Sequence, residues 1–534
     1  MPIRMTDDPV DPNQHNDNSG GGGGRRPVFP GGGGGGGLGS LLPLLLGLFK
    51  GKGILLLLVL AGGLYFLSRI GGCDLNQLAQ LATGGMLDPR QFEKAKIYEP
   101  LADDPNRPAL PEAASLQQFA PAVGNQGAQG SCVAWSAAYA ARTILESART
   151  GQAGDNLKFS PAFLYNQIGL EGCQGSYIIR AMEFMTNKGA VPYDQFRYTD
   201  QDCSRQPDDQ LQRAALQYKM HGFNRLSLGE RNDVLDLHAI KENLSQGAPV
   251  VIGMMVGQSF MQAMQGQDVW EPAPGDENMM GFGGHAMCVV GYDDARYGGA
   301  FLIMNSWGPE WGQNGFAWVR YSDFNYYVRE AYGLDPMART GEAAAQPFSC
   351  EVGLVQVEYQ GNKTVTAGYI PLRNAGSGRF VTSQPVAIGS KFKMEVRNNT
   401  ECYIYVFGKE TDGTSYTLFP YPTKEDPSQT RYSAFCGITG YRLFPRDKSM
   451  TPDSIGTRDV IAVVLSREEL DWATLNREIS RNPQMDYSSR LRSALSGKIS
   501  RTVRAGNSGK GTMLFETEAG DKGVILCTVE IDKE

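Results

Sequence analysis

The sequence predicts an α+β chain in three parts. One membrane-spanning helix comes first, then a two-subdomain region whose helical half faces a β-barrel-like half, then a β-rich accessory domain. Three observations predict it. Ile54 to Ile70 is an almost unbroken apolar run. From Ser131 to about Val319 the apolar spacing changes from helical to short apolar strands. Beyond residue 347 the pattern alternates, with turn residues between the stretches.

The 534 residues are enough for two or three domains. With 41% apolar and 20% charged residues, the composition is that of a globular protein. A net charge of −7 gives no reason to expect nucleic acid as a partner. Four histidines, with no His-Glu-x-x-His and no paired Cys-x-x-Cys, leave little for a metal, and no cofactor is expected. Nine cysteines are too few for a disulfide scaffold at this length.

Taken in order, residues 1–40 are mostly Gly, Asp, Asn and Pro, and read as a disordered tail. Residues 41–70 read as the anchor; a helix over Ile54–Ile70 would reach about 25 Å, the short end of what spans a bilayer. Arg25, Arg26, Lys50 and Lys52 precede it and Arg69 follows, so the positive-inside tendency places the N-terminus in the cytoplasm. Everything after Cys73 is then expected outside, in the periplasm, on a single-pass membrane protein. Residues 71–112, rich in Pro, Asp and Ala, read as a stalk.

Residues 113–337 carry the two-subdomain region. Cys132, Trp135, Ser136, Tyr139, Ala140, Thr143 and Ile144 share one face of a predicted helix, and Ser160-Pro161 is a second helix start. Pro249–Met254, Met287–Tyr292, Phe301–Met304 and Gly315–Val319 are predicted strands. Residues 338–352 form a linker, and 353–534 the accessory domain, whose ligand the sequence does not name. There, Lys391–Arg397 alternates, and Cys402–Phe407 and Ser415–Phe419 flank Asp412-Gly413 as a hairpin. Val460–Leu465 is a strand, Ser466 to Glu469 a capping box opening a helix, and Val524–Ile531 a closing strand. Gly506 to Thr512 is a hairpin turn rather than a phosphate loop. Cys350, Cys402, Cys436 and Cys527 allow three pairings or none.

The chemistry sits in four places. Cys132 opens an apolar segment, His285 follows Gly283-Gly284, and Asn305 begins Asn-Ser-Trp-Gly. A thiol, an imidazole and a carboxamide in that order form a nucleophile, base and orienter for acyl transfer. Gln126 lies six positions before the thiol. This set resembles the papain-like cysteine peptidases, over about Ser115 to Tyr332, in a bacterial, membrane-anchored form. The resemblance implies Cys132 as nucleophile, His285 as base, Asn305 as its orienter and Gln126 as oxyanion donor. It also implies that Trp307 covers the His–Asn hydrogen bond, and that Gly175 and Ser176, with Trp307, bind an extended substrate. Cys132 at a helix N-terminus, beside an imidazolium, is expected to be a thiolate. The family has Trp directly after the nucleophile; here Trp135 comes three residues later. Its usual cysteine partner for the Cys173 position is missing, because Gln129 stands there. A disulfide to Cys203 is expected instead if the domain lies outside the cell. No helical propeptide of the family's kind is apparent before the enzyme.

The expected function is therefore a membrane-anchored cysteine endopeptidase acting on a protein or peptide. An amidase or acyl transferase on the same scaffold is one alternative. A non-catalytic membrane-anchored adaptor, binding a partner through the C-terminal domain, is the other.

Overall fold

The computed structural model describes residues 2–9, 83–98, 110–228, 233–276, 284–337, 347–361, 363–437, 441–445 and 448–534. The expected membrane helix at Ile54–Ile70 lies outside the described residues. Among the described residues, no helix is long and apolar enough to cross a membrane.

The helical half begins with Cys132–Ala134, runs on through Trp135–Arg142 and ends with Thr143–Thr150. The middle section is wound wider, as a π-helix. Its alanines at 137, 138, 140 and 141 are all buried, and so is every other residue from Ser131 to Ser147. The expected single apolar face therefore gives way to burial all round. Gly151, at φ 72°, ends the segment as a left-handed cap. Ser160 caps the next helix, Pro161–Ile168, accepting the Phe163 amide at 2.9 Å as its sequence predicts. Helices Ile178–Asn187 and Asp209–Ala215 complete this half.

The opposing half is an antiparallel sheet. Its strands are β2 (Ala113–Ser115), β3 (Phe223–Arg225), β4 (Val250–Met255), β5 (Gly284–Asp293), β6 (Ala300–Met304), β7 (Phe316–Arg320) and β8 (Val328–Leu334). They run in the order β3-β8-β4-β5-β6-β7, with β2 on β5. Strands β5 and β6 are apolar throughout their centres because both faces are covered.

The C-terminal domain is a sandwich with helices on one side. One sheet contains β9 (Ser349–Gln360), β10 (Lys363–Ile370), β13 (Lys391–Asn398), β17 (Tyr441–Phe444), β18 (Lys448–Pro452), β20 (Arg504–Asn507) and β21 (Met513–Glu516). The other contains β11 (Leu372–Gly376), β12 (Arg379–Thr382), β14 (Cys402–Lys409), β15 (Ser415–Phe419), β16 (Phe435–Cys436), β19 (Arg458–Ser466) and β22 (Ile525–Asp532). Alternate residues of the second sheet face opposite ways. Ile404, Val406, Ile461 and Val463 join Val352, Leu354 and Met394 of the first sheet in one core. Tyr405, Phe407, Ala462 and Val464 turn outward and pack under helices Trp472–Ser480 and Tyr487–Ala494. Cys350, Cys402, Cys436 and Cys527 are free, buried thiols in the first core.

Four expectations need correction. The N-terminal tail is not wholly unstructured, because β1 (Ile3–Asp7) pairs antiparallel with β18 and Ile3 is buried in the sandwich core. One aliphatic side chain and a row of backbone hydrogen bonds suffice where a sheet edge is waiting. The stalk is not free-standing: residues 83–98 pack into the globular body, with Phe92 and Ile97 fully buried. The Ile97 amide bonds the Arg431 carbonyl, and Ile97 bridges both Arg225 and Tyr432, so this stretch joins the two domains. The linker ends earlier than expected, because β9 starts at Ser349. Finally, the helix after β19 starts later than its capping box: Asp471, not Ser466, caps it, accepting the Thr474 amide.

Candidate active site

Cys132 sits at the start of the helical half, and strand β5 delivers His285 to it. The Cys132 sulfur accepts the Ala286 amide at 3.4 Å, one residue from His285. Asn305, just past the end of β6, meets the imidazole from the other side: Nε2 lies 2.7 Å from Asn305 Oδ1. The same Oδ1 accepts the Ser306 amide at 2.7 Å, which marks it as oxygen. Nε2 must then carry the proton and donate, which leaves Nδ1 as the basic nitrogen. Among the described residues Nδ1 has no hydrogen-bond partner. Trp307 stacks on the imidazole, with centroids 4.2 Å apart and planes 20° from parallel. Its ring is buried against His285 and Phe260.

Gln126 is fully buried. Its amide nitrogen donates to the Gln129 carbonyl at 3.0 Å, and its amide oxygen accepts the Ser306 hydroxyl at 2.7 Å. The loop from Gln126 to Ser131 is braced from outside. Tyr198 donates to the Gln126 carbonyl at 2.7 Å and meets the Ser131 hydroxyl at 2.6 Å, and Asp200 accepts the Ala128 amide at 3.1 Å. Sequence reasoning missed Tyr198 and Asp200, which carry no motif of their own. Their strand-free loop is tied back by a disulfide between Cys173 and Cys203, which also fixes the loop carrying Gly175 and Ser176.

That second loop is occupied. Residues Gly84 to Met86 run extended through the cleft between the halves. The Ser176 amide donates to the Gly84 carbonyl, and the Met86 amide to the Ser176 carbonyl, both at 2.9 Å. The Gly85 amide donates to the Gly284 carbonyl at 2.9 Å. The strand runs parallel to Ser176 and antiparallel to Gly284. Only glycines allow so close an approach. A Cβ on Gly84 would meet the Gly130 oxygen at 2.2 Å, and one on Gly175, at φ 127°, would meet the Gly84 oxygen at 2.4 Å. Leu87 then fills the space over Gly253 and Gly284: a Cβ at either position would lie within 2.6 Å of its side chain. Beneath it, burial pushes the Glu330 carboxyl up to about 8, and that group accepts the Asp88 amide at 3.0 Å. The Gly84-Gly85 pair before Met86-Leu87 was the legible signal for this strap, and the stalk reading passed over it.

Burial sets the electrostatics of the pair. Burial pushes the Cys132 thiol up to about 12 and lowers the His285 imidazole to about 4. A raised thiol pKa keeps the neutral form below that value, and a lowered imidazole pKa keeps the neutral form above its own. Burial thus favours the neutral thiol and the neutral imidazole over the thiolate expected from the helix N-terminus, and outweighs the amide donors at the sulfur.

Comparisons with known proteins fall on the region that carries this site. Residues 111–333 match the sequence model of the papain family cysteine proteases. Human cathepsin L2 is 26% identical over 248 residues, covering 43% of this chain and 66% of that protein. The cathepsin B-like CP2 of Giardia intestinalis is 27% identical over 243 residues, covering 43% of this chain and 76% of that one. Xylellain, a cysteine protease from Xylella fastidiosa, aligns at 25% identity with a TM-score of 0.39, over 48% of this chain and 96% of that chain. The chain thus spans about two thirds of the length of the human relative. Residues 111–333 are a papain-family cysteine protease domain. The C-terminal sandwich lies outside that match.

Proposed function

We propose that this domain is an endopeptidase that hydrolyses peptide bonds through Cys132, His285 and Asn305, with Gln126 at the oxyanion. The observation that carries the reading is the ordered chain from the Asn305 oxygen through Nε2 of His285 to the sulfur beside Ala286. Nδ1 takes the thiol proton, the sulfur attacks the peptide carbonyl, and the imidazolium protonates the departing amine. Water then hydrolyses the thioester with the same base. Asn305 keeps the proton on Nε2 throughout. The Cys132 amide and the Gln126 side chain stabilise the oxyanion. An epoxide-type peptide probe should label Cys132 alone, and plain polypeptides should gain new amino termini. Labelling without cleavage of any polypeptide would move the reading to an amidase or transferase.

The site as it stands is self-covered, and the strap sets its activity. Leu87→Asp places a charge in the apolar space over Gly253 and should loosen Gly84–Leu87. Alkylation of Cys132 by iodoacetamide should be slow in the parent and still rising at pH 9, since only the thiolate reacts. In the variant it should be at least tenfold faster, with its midpoint shifted down as water returns to the pair. Equal rates and profiles in both proteins would mean that the strap does not control the thiol.

We further propose that the enzyme works outside the cytoplasm, tethered to a membrane through the apolar run at Ile54–Ile70. The Cys173–Cys203 disulfide supports an oxidising compartment. The N-terminal strand constrains the tether. A single crossing at 54–70 would part Ile3–Asp7 from Gly85, yet both belong to one packed body. The N-terminus is therefore proposed to share the catalytic side, against the expectation from the positive-inside count. An epitope tag before residue 2 should be cut from intact spheroplasts together with the catalytic domain. A tag protected until lysis, with the catalytic domain exposed, would restore the single crossing.

A further inference from the structure

Strand β3 ends the path of the catalytic sheet, and the pairing continues past it through two more segments. Residues 93–98 come first. The Arg225 amide donates to the Lys96 carbonyl at 2.7 Å, and the Tyr98 amide to the Arg225 carbonyl at 3.2 Å. The backbone groups of Ile97 point the other way, to the C-terminal sandwich. Its amide donates to the Arg431 carbonyl, and its carbonyl accepts the Ser433 amide at 3.3 Å. Ile97, 1% exposed, thus runs parallel to Arg225 on one side and to Tyr432 on the other. Two ion pairs between exposed side chains flank this joint, Arg431 with Glu93 at 3.7 Å and Lys96 with Glu469 at 3.2 Å.

The same run of chain carries the strap, whose Gly85 amide is one of the donors at the Cys132 sulfur. Next to Leu87, Asp88 donates its amide to Glu330 and caps the four-residue helix Pro89–Phe92 by accepting the Arg90 amide at 3.0 Å. Phe92 packs edge-on against Tyr332 of β8, with centroids 5.1 Å apart, and the Arg225 guanidinium donates to the Glu93 carbonyl at 3.3 Å. Strap, helix and joint are therefore one short packed run with little slack between its ends. The sandwich is seated on the catalytic half by contacts outside this run as well. His221 Nδ1 lies 3.1 Å from Glu401 Oε2, and a Cβ on Gly437 would meet the Gln246 side chain at 2.5 Å. The 431–433 edge is thus held in place by the domain docking, not by Ile97 alone.

We propose that the C-terminal sandwich is the inhibitory domain of this protease: its 431–433 edge clamps residues 93–97 against β3 and so keeps the strap in the cleft. The proposal rests on the reading that the strap controls Cys132, and it gives a role to the domain outside the family match. Withdrawal of the edge takes away the Arg431 and Ser433 bonds and both ion pairs together. Residues 93–98 are then an outer strand held on one side only, and the strap leaves by local opening rather than by unfolding of the domain.

The test measures alkylation of Cys132 by iodoacetamide in the full chain. Ser433→Pro removes the amide that the Ile97 carbonyl accepts. It should speed alkylation by about fivefold, and exchange of the Met86 amide should rise with it while β6 and β7 stay protected. Arg431→Glu sets two carboxylates facing each other across the joint. It should speed alkylation by about twofold, and adding Glu93→Arg should restore the parent rate. This exposed pair decides the matter where Ser433→Pro disturbs the sandwich itself. Parent-like rates in both variants, with Leu87→Asp still accelerating, would overturn the clamp and leave the strap reading standing. Parent-like rates in all three would remove both. Acceleration by Arg431→Glu that Glu93→Arg does not reverse would mark general loosening, and would overturn the clamp too.

Discussion

Cys132→Ala is expected to bring hydrolysis of peptide amides down to background, a loss on the order of 10⁶ for a deleted nucleophile. The fold should survive. The side chain is fully buried, and the change removes one sulfur from a well-packed site. The cost in stability should be about 1 kcal/mol, from a small cavity and the lost Ala286 amide contact. Thermal unfolding and circular dichroism check the second point, and turnover the first. The comparison belongs in the Leu87→Asp background as well as in the parent, so that the strap does not mask a difference. Retained turnover in both backgrounds would remove Cys132 from the mechanism.

Gln126→Ala is expected to lower kcat by about 10²–10³ with little change in KM, because an oxyanion donor acts mainly in the transition state. The structure adds a second consequence. Gln126 ties the Gln129 carbonyl to the Ser306 hydroxyl, and so links the nucleophile loop to the segment carrying Asn305. Its loss should therefore also reduce stability, by about 1–3 kcal/mol for a buried polar contact left unmade. Tyr198→Phe separates the two effects, since it loosens the same loop without touching the oxyanion. A KM change with kcat intact in Gln126→Ala would make that residue a binding group. A kcat loss in Tyr198→Phe as large as in Gln126→Ala would make the loss in Gln126→Ala a matter of loop position.

The residues that meet at the site were legible because each carries a local signature. Cys132 opens an apolar helix, His285 follows two glycines into a strand, and Asn305 starts a Trp-containing turn. Such signals are set by short-range geometry, so order and spacing along the chain were enough to read them. The same holds for β5, β6, β13, β19 and β22, whose apolar patterns match their strands closely. The disulfide between Cys173 and Cys203, expected if the domain lies outside the cell, is present.

Other features needed the tertiary structure, because they depend on what one segment meets far away. A short stretch such as Ile3–Asp7 has too little apolar surface to declare itself. It becomes a strand only because β18 offers an edge and Tyr416 and Lys393 offer partners to Ile3 and Asp8. Thr83 to Leu87 looked like stalk because its glycines are uninformative alone; they have meaning only against Gly130, Gly175 and Gly284. The burial that pushes the Cys132 thiol up was hidden from the sequence for the same reason. Helix position and residue type are written locally, and both favour a thiolate. Desolvation is a property of everything packed around the sulfur, and helix position alone does not reveal it.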